Sequence, residues 1–170
     1  MEKVLIYATA AQGSQELAAY EEAVNQIEKG NEVLFLYCDK VIGGCLNENP
    51  GFVPVRCKIC VSLQKKRARK YLPKSVKYEP LSSYWNTDVE KAVNDYIPQY
   101  KTADEYRMLK YKGVSVGYGA MSSYISLTRN MEPEMKPNVI NYLNKLLKMQ
   151  VILTELFNRA VDDFNPDLVI

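Results

Sequence analysis

The sequence predicts an α/β domain with a Rossmann-like three-layer fold, in which helices cover both faces of a mostly parallel sheet. Two short runs, residues 4–8 (VLIYA) and 33–37 (VLFLY), are wholly apolar, as strands buried on both faces are. A segment with helical periodicity separates them. Strand, helix and strand in this order form a right-handed βαβ unit in nearly all known cases.

The first helix has recognisable ends in the sequence. Ser14 is predicted to be its N-cap, and Gly30 stands where the C′ glycine of a helix is expected. Four apolar residues at helical spacing are predicted to form its buried face: Leu17, Tyr20, Val24 and Ile27.

After the second strand the pattern is mainly helical. Helices are predicted over residues 58–71, 88–96 and 104–110, from 116–118 to 130, and over 137–163. A short strand is predicted over 76–78, with Pro80 breaking it. A last strand of the same sheet is predicted over 167–170.

Length and composition describe an ordinary domain. A chain of 170 residues suggests a single domain, 1–170. With 47% hydrophobic residues, it can form a core without covalent cross-links. A formal charge of +2 gives no global electrostatic field that would indicate nucleic acid or a membrane as a partner. Because the sequence shows neither a transmembrane run nor a signal peptide, we expect a cytoplasmic protein.

The last residues read as a helix end, a turn and the opening of a buried strand. Natural domains seldom stop on the first residues of a strand. We therefore expect this chain to be the N-terminal part of a longer protein, with part of the functional site contributed by the missing part.

All four cysteines lie between residues 38 and 60, with the spacing C-x6-C-x11-C-x2-C, in a chain without histidine. A structural zinc site would use the four thiolates Cys38, Cys45, Cys57 and Cys60, or three of them with Asp39. The second pair has the spacing of a zinc knuckle, whereas the first pair is wider. Thiols without a metal, a redox-active Cys57–Cys60 pair and an iron–sulfur cluster stay open as alternatives.

Two loops are predicted at the carboxyl ends of the first two strands, where ligands of such sheets gather. In the first loop, backbone N–H groups of Gln12, Gly13 and Ser14 at a helix N-terminus suit an anion, although the loop lacks G-x-G-x-x-G and also fits a plain connection. The second loop begins at Cys38 and holds Asp39, a candidate polar contact.

Two further segments have both a structural and a functional interpretation. The basic run 65–70 is either a solvated helix face or a patch for phosphate or an anionic lipid carrier, so peripheral membrane contact stays open. The small-residue segment 113–123 and the helix after it either pack tightly or face a cleft. In the second case, Ser122, Ser123 and Arg129 would contact a phosphate or carboxylate.

Together these segments resemble a known family. The order is LYCD after the second strand, then N and R-C-x-x-C, a basic helix, K-G-V-S-V-G with S-S and S-L-T-R, and a long helix that ends in N-P-D-L-V-I. This pattern is similar to the N-terminal region of bacterial surface or capsular polysaccharide biosynthesis proteins, which look like glycosyltransferases of the two-Rossmann (GT-B) type. The resemblance covers nearly the whole chain and is most specific at 38–60 and 113–129.

The resemblance implies an acceptor-side half that faces a sugar or a lipid-linked acceptor. A C-terminal half would hold most of the nucleotide-sugar donor, so this chain alone would be inactive. No carboxylate matches a catalytic base, so the catalytic residues stay unknown. Asp39 and the loop 9–14 are the places where such folds usually carry the base. The rival hypotheses are a zinc-stapled binding or scaffold module and a thiol-redox protein that uses Cys57 and Cys60.

Overall fold

The computed structural model describes residues 1–8, 13–43 and 54–170 and confirms the predicted α/β fold. Four strands form its sheet: β1 (Lys3–Ala8), β2 (Glu32–Tyr37), β3 (Lys77–Pro80) and β4 (Leu168–Val169). Their order is β3-β2-β1-β4, and each neighbouring pair is parallel. The predicted parallel sheet is therefore present.

The helices follow in the predicted order. They are α1 (Gly13–Glu28), α2 (Pro54–Tyr71), α3 (Thr87–Asp95), α4 (Ala103–Arg107), α5 (Val116–Thr128) and α6 (Pro137–Phe164), with a 3₁₀ turn at Leu81–Tyr84. Several boundaries differ from the predicted ones by one to four residues, and the prediction for Pro80 is wrong. Pro80 does not break β3 but is its last residue, paired with Tyr37, a position at the end of a strand where a missing N–H is tolerated.

The described residues form two compact units, each with its own core. The first unit holds Met1–Val41, residues 54–84 and Phe157–Ile170, and the second holds Trp85–Leu156 with residues 42 and 43. The sheet lies wholly in the first unit.

In the first unit, side chains alternate between the two faces of the sheet. Val4, Ile6 and Phe35 face one way and pack with Tyr20 of α1 and Ala68 of α2. On the opposite face, the ring of Tyr7 lies 5.8 Å from that of Phe157, in the last turns of α6. Helical residues therefore cover both faces of β1, which explains why its residues 4–8 are apolar.

Helix α1 departs from the sequence prediction in two details. It begins at Gly13, so Ser14 lies inside its first turn and is not the N-cap. The predicted buried position Leu17 is 46% exposed, whereas Glu16 and Ala23 are buried. The buried face is thus rotated towards Glu16, because that carboxylate has a partner on α2. Gly30, by contrast, has the positive φ of 83° expected of a C′ glycine.

The second unit is a helical packing of α4, α5 and α6. Its core includes Tyr106, Met121 and Leu143, and the Tyr106 hydroxyl donates to the carbonyl oxygen of Leu143 at 2.8 Å. Gly117 is needed at the contact, since a Cβ there would lie 2.0 Å from the carbonyl oxygen of Tyr106. The small-residue segment therefore packs tightly at this point.

Candidate functional site

The sheet order places a topological switch between β1 and β4. From β1 the chain moves outward through β2 to β3 and then returns to the other side of β1. In open parallel sheets, ligands bind beyond the carboxyl ends of the strands at such a switch. The residues that follow β2 and β3 lie at this same carboxyl edge, one and two strands away from β1, and the candidate site is built from them.

Asp39 is the carboxylate held at this edge. It follows β2, is half-buried, and its Oδ1 accepts a hydrogen bond of 3.3 Å from the backbone N–H of Ser82, just after β3. This contact joins the ends of two neighbouring strands. In the described part of the chain no donor contacts Oδ2, which leaves that oxygen available to accept a hydrogen bond from a ligand hydroxyl.

A second carboxylate, Glu16, is buried in the first turn of α1. It is 1% exposed, and its Oε1 accepts a 2.8 Å hydrogen bond from the Tyr20 hydroxyl. Its Oε2 pairs with the guanidinium of Arg67 on α2. Burial and the bond to Glu16 raise the pKa of Tyr20, and Glu16 raises the pKa of Arg67, so both side chains keep their protons.

Gln64 extends this polar cluster towards the cysteine pair. Its side-chain Nε2 donates to Cys60 Sγ at 3.3 Å, and its backbone carbonyl accepts from the Tyr20 hydroxyl at 3.2 Å. The residue is 1% exposed, yet no described residue contacts its buried Oε1 by a hydrogen bond. Gln64 therefore carries a polar atom whose hydrogen-bonding capacity is unused within the described residues.

Two aromatic residues of the sheet stack on each other, and one of them, Tyr78, packs against the core that includes Tyr20. Tyr37, at the end of β2, stacks on Tyr78 of β3 with ring centroids 4.3 Å apart and planes at 8°. The ammonium of Lys65 lies 6.0 Å from the Tyr37 ring. Burial raises the pKa of Tyr78, so its phenol stays neutral at physiological pH.

The cysteines divide between two elements. Cys38 follows β2, while Cys57 and Cys60 lie one turn apart on α2, and all three are half-buried thiols. Cys45 lies outside the described residues. The Cys57–Cys60 pair fits two positions of a zinc knuckle. Over residues 1–8, 13–43 and 54–170, however, no three potential ligands gather as a metal-binding group.

The predicted anion loop is only partly described. Gln12 lies outside the described residues, and Gly13 and Ser14 form the first turn of α1, next to the carboxyl end of β1.

The remaining predicted contacts belong to the second unit. Ser122 is exposed on α5, whereas the Ser123 hydroxyl donates to the carbonyl oxygen of Gly119 at 3.1 Å. Arg129 is the C-cap of α5, with a left-handed φ of 58°, and its side chain is exposed. Asp39, the other predicted polar contact, belongs instead to the first unit.

Sequence reasoning missed the buried polar residues. Glu16, Gln64 and Glu155 all read as surface residues by type. Glu155 is 4% exposed and accepts hydrogen bonds from the Tyr111 hydroxyl at 2.7 Å and the Lys112 ammonium at 2.6 Å. One feature of the sequence could have predicted the burial of Glu16. Tyr20 follows it by four residues, the spacing at which two helical side chains contact each other.

No described helix is long and apolar enough to span a bilayer. Comparison with known proteins found no matching family model, no matching curated protein and no matching solved structure.

Proposed function

We propose that this chain is the acceptor-side domain of a two-Rossmann glycosyltransferase that acts in cell-surface polysaccharide synthesis. The observation that carries the proposal is the Asp39 carboxylate, held by the Ser82 N–H at the carboxyl edge of a parallel sheet with the order β3-β2-β1-β4. The resemblance of residues 38–60 and 113–129 to polysaccharide biosynthesis proteins supplies the reaction class.

In this proposal Asp39 binds an acceptor hydroxyl. Its Oδ1 is fixed by the backbone of Ser82, so the carboxylate is oriented before a ligand arrives, which lowers the entropic cost of binding. Oδ2 then accepts the hydrogen bond from the acceptor hydroxyl. A second domain would hold the nucleotide-sugar. The acceptor oxygen would attack the anomeric carbon as the bond from that carbon to the nucleotide's phosphate oxygen breaks, the nucleotide would leave, and the hydroxyl proton would pass to the Asp39 carboxylate.

The test uses the full-length protein and a panel of nucleotide-sugars, with release of the nucleotide as the readout. We expect release that depends on an acceptor, and a loss of roughly 100-fold in kcat/KM for Asp39→Asn, as for the removal of one well-placed polar group. Asp95→Asn is the matched control, because Asp95 is an exposed carboxylate at the end of α3. A full-length protein without a second domain, or one that releases nucleotide from none of the donors, would overturn the proposal.

A second candidate is a zinc-stapled binding module. The observation that favours it is the Gln64 Nε2 hydrogen bond to Cys60 Sγ, since donors to ligand sulfur are typical of metal sites. Cys57, Cys60 and Cys38 would supply sulfur ligands, and Cys45 the fourth. Metal analysis of the purified protein with about one zinc per chain supports this site, while four titratable thiols without metal exclude it.

A further inference from the structure

The solvent-facing side of α2 is strongly cationic. We define the α2 basic face as the eight exposed residues that fall within an arc of about 160° at 100° per residue. They are Lys58, Ile59, Ser62, Leu63, Lys65, Lys66, Arg69 and Lys70. The opposite side of the helix packs on the sheet through Gln64 and Ala68, which are buried.

The charges of the α2 basic face are not neutralised by their own helix. Residues 54–71 include no Asp or Glu. Arg67, which borders the face, is the cation that pairs with Glu16. For Lys58, Lys66 and Arg69 no carboxylate partner occurs among the described residues, so their charges are directed at solvent.

Acidic residues of the neighbouring helix reduce the positive potential of the α2 basic face at a distance. α1 packs beside α2 and exposes Glu21 and Glu28. Attraction to an anionic surface therefore depends on close approach of the α2 face itself, within about one Debye length of 10 Å at 0.1 M salt.

Two aliphatic side chains lie on the same face. Ile59 is 55% exposed and Leu63 is 40% exposed, and they are one helical turn apart, so they form a continuous apolar strip. The α2 basic face holds five Lys or Arg side chains, and clusters of about four to eight such cations on a helix are typical of proteins that bind anionic lipid.

We infer that the α2 basic face docks the protein on the surface of an anionic bilayer. The cations contact lipid phosphates, and Ile59 and Leu63 insert at the level of the headgroups. Nucleic acid is the less suitable polyanion, because single-strand binding relies on exposed rings on which bases stack. The one aromatic side chain of this helix, Tyr71, is 44% exposed, but it stacks on Tyr20 and lies outside the arc of the α2 basic face. The inference does not depend on the proposed transferase activity.

The charge test compares two triple variants in vesicle flotation. The vesicles are phosphatidylcholine with or without one quarter phosphatidylglycerol. Lys58→Gln/Lys66→Gln/Arg69→Gln removes three charges from the α2 basic face. The matched control, Lys91→Gln/Lys145→Gln/Lys148→Gln, removes three exposed charges from α3 and α6. Both variants have a formal charge of −1, from +2 minus three.

We expect the unsubstituted protein to bind the anionic vesicles and not the neutral ones. Each cation at an anionic surface changes binding about fivefold, so the α2 triple should lose on the order of 100-fold and the control far less. Equal losses in both triples, equal binding to neutral vesicles, or tighter binding to single-stranded RNA than to anionic vesicles would each overturn the inference.

The aliphatic strip has its own test. Ile59→Ser/Leu63→Ser should lose most of the vesicle binding that remains in 0.5 M salt, where electrostatic attraction is screened. Leu17→Ser is the control, because Leu17 is a comparably exposed aliphatic residue on α1. Unchanged binding of the double variant in high salt would show that Ile59 and Leu63 do not insert. Melting curves confirm that each variant is folded.

Discussion

The guanidinium of Arg67 on α2 pairs with the carboxylate of Glu16 on α1, whose side chain is completely buried while that of Arg67 is 34% exposed. The pair joins two helices that cover the same face of the sheet. The buried carboxylate has two partners, the Arg67 guanidinium and the hydroxyl of Tyr20, which donates to it.

Replacement of Arg67 by Met is predicted to destabilise the protein strongly. The substitution leaves Glu16 as a buried charge without its cation, which costs more than the loss of a surface ion pair. We expect the Tm to fall on the order of 10 °C at pH 7, measured by circular dichroism. Arg69→Met, on the exposed side of the same helix, should change the Tm little. Similar Tm values for the two variants would contradict the assigned role of the pair.

Gln64→Met is predicted to be neutral or stabilising by up to about 1 kcal/mol. Methionine has a similar volume and removes the buried Oε1 that lacks a partner among the described residues. The matched control is Gln26→Met. Gln26 is also buried, but it donates to Glu22 and accepts from Asn31, both at 2.7 Å, so its loss should cost about 1–3 kcal/mol. Urea unfolding measures both, and a large loss for Gln64→Met would mean that Oε1 is engaged.

Gly117→Ala should disrupt the packing of the second unit. The added Cβ would lie 2.0 Å from the oxygen of Tyr106, which belongs to the backbone and cannot turn away as the end of a flexible side chain can. Such overpacking costs about 1–3 kcal/mol or more. Gly119→Ala, on the same helix, meets only the flexible side chain of Gln150 at 3.1 Å. It should be close to neutral, because alanine also favours the helix by about 1 kcal/mol. Thermal melts of both variants decide whether the ranking holds.

Alkaline pH should unfold the protein through its buried tyrosines. Burial raises the pKa of Tyr106 above its ordinary value of 10.0, so the folded state holds the proton more tightly than the unfolded state. This contribution to stability is complete below about pH 10 and is lost as pH rises towards the folded pKa. We expect the Tm to fall above about pH 10.

Tyr106→Phe isolates this effect from the titration of lysines. The variant loses the hydrogen bond to Leu143, which costs about 1 kcal/mol at neutral pH. Between pH 9 and 11 its Tm should nevertheless fall less than that of the unsubstituted protein. The variant lacks the phenol whose pKa is higher in the folded than in the unfolded state, and so lacks its contribution to the pH dependence. An identical slope in both proteins would show that Tyr106 does not contribute to alkaline unfolding.

Hydrophobic periodicity predicted the elements and their order. Residues 4–8 and 33–37 were predicted as strands because they are short, apolar and followed by turn residues, and both lie within observed strands. The prediction was wrong where one polar residue has a buried partner far away in sequence. Leu17 was assigned to the core by spacing alone, but the pairing of Glu16 with Arg67, 51 residues later, rotates α1 about its axis.

The candidate site was predictable only in part. Asp39 was identified because it follows an apolar strand and so had to lie at the carboxyl edge. Its hydrogen bond to the Ser82 N–H depends on the pairing of β3 with β2, and local sequence does not specify which strands become neighbours. The sequence by itself determined the secondary structure, the parallel class of the sheet and the cationic nature of α2, because these depend on local periodicity and composition. Only the tertiary structure decided the strand order, the switch between β1 and β4 and the burial of Glu16 and Gln64, because these depend on contacts between segments distant in sequence.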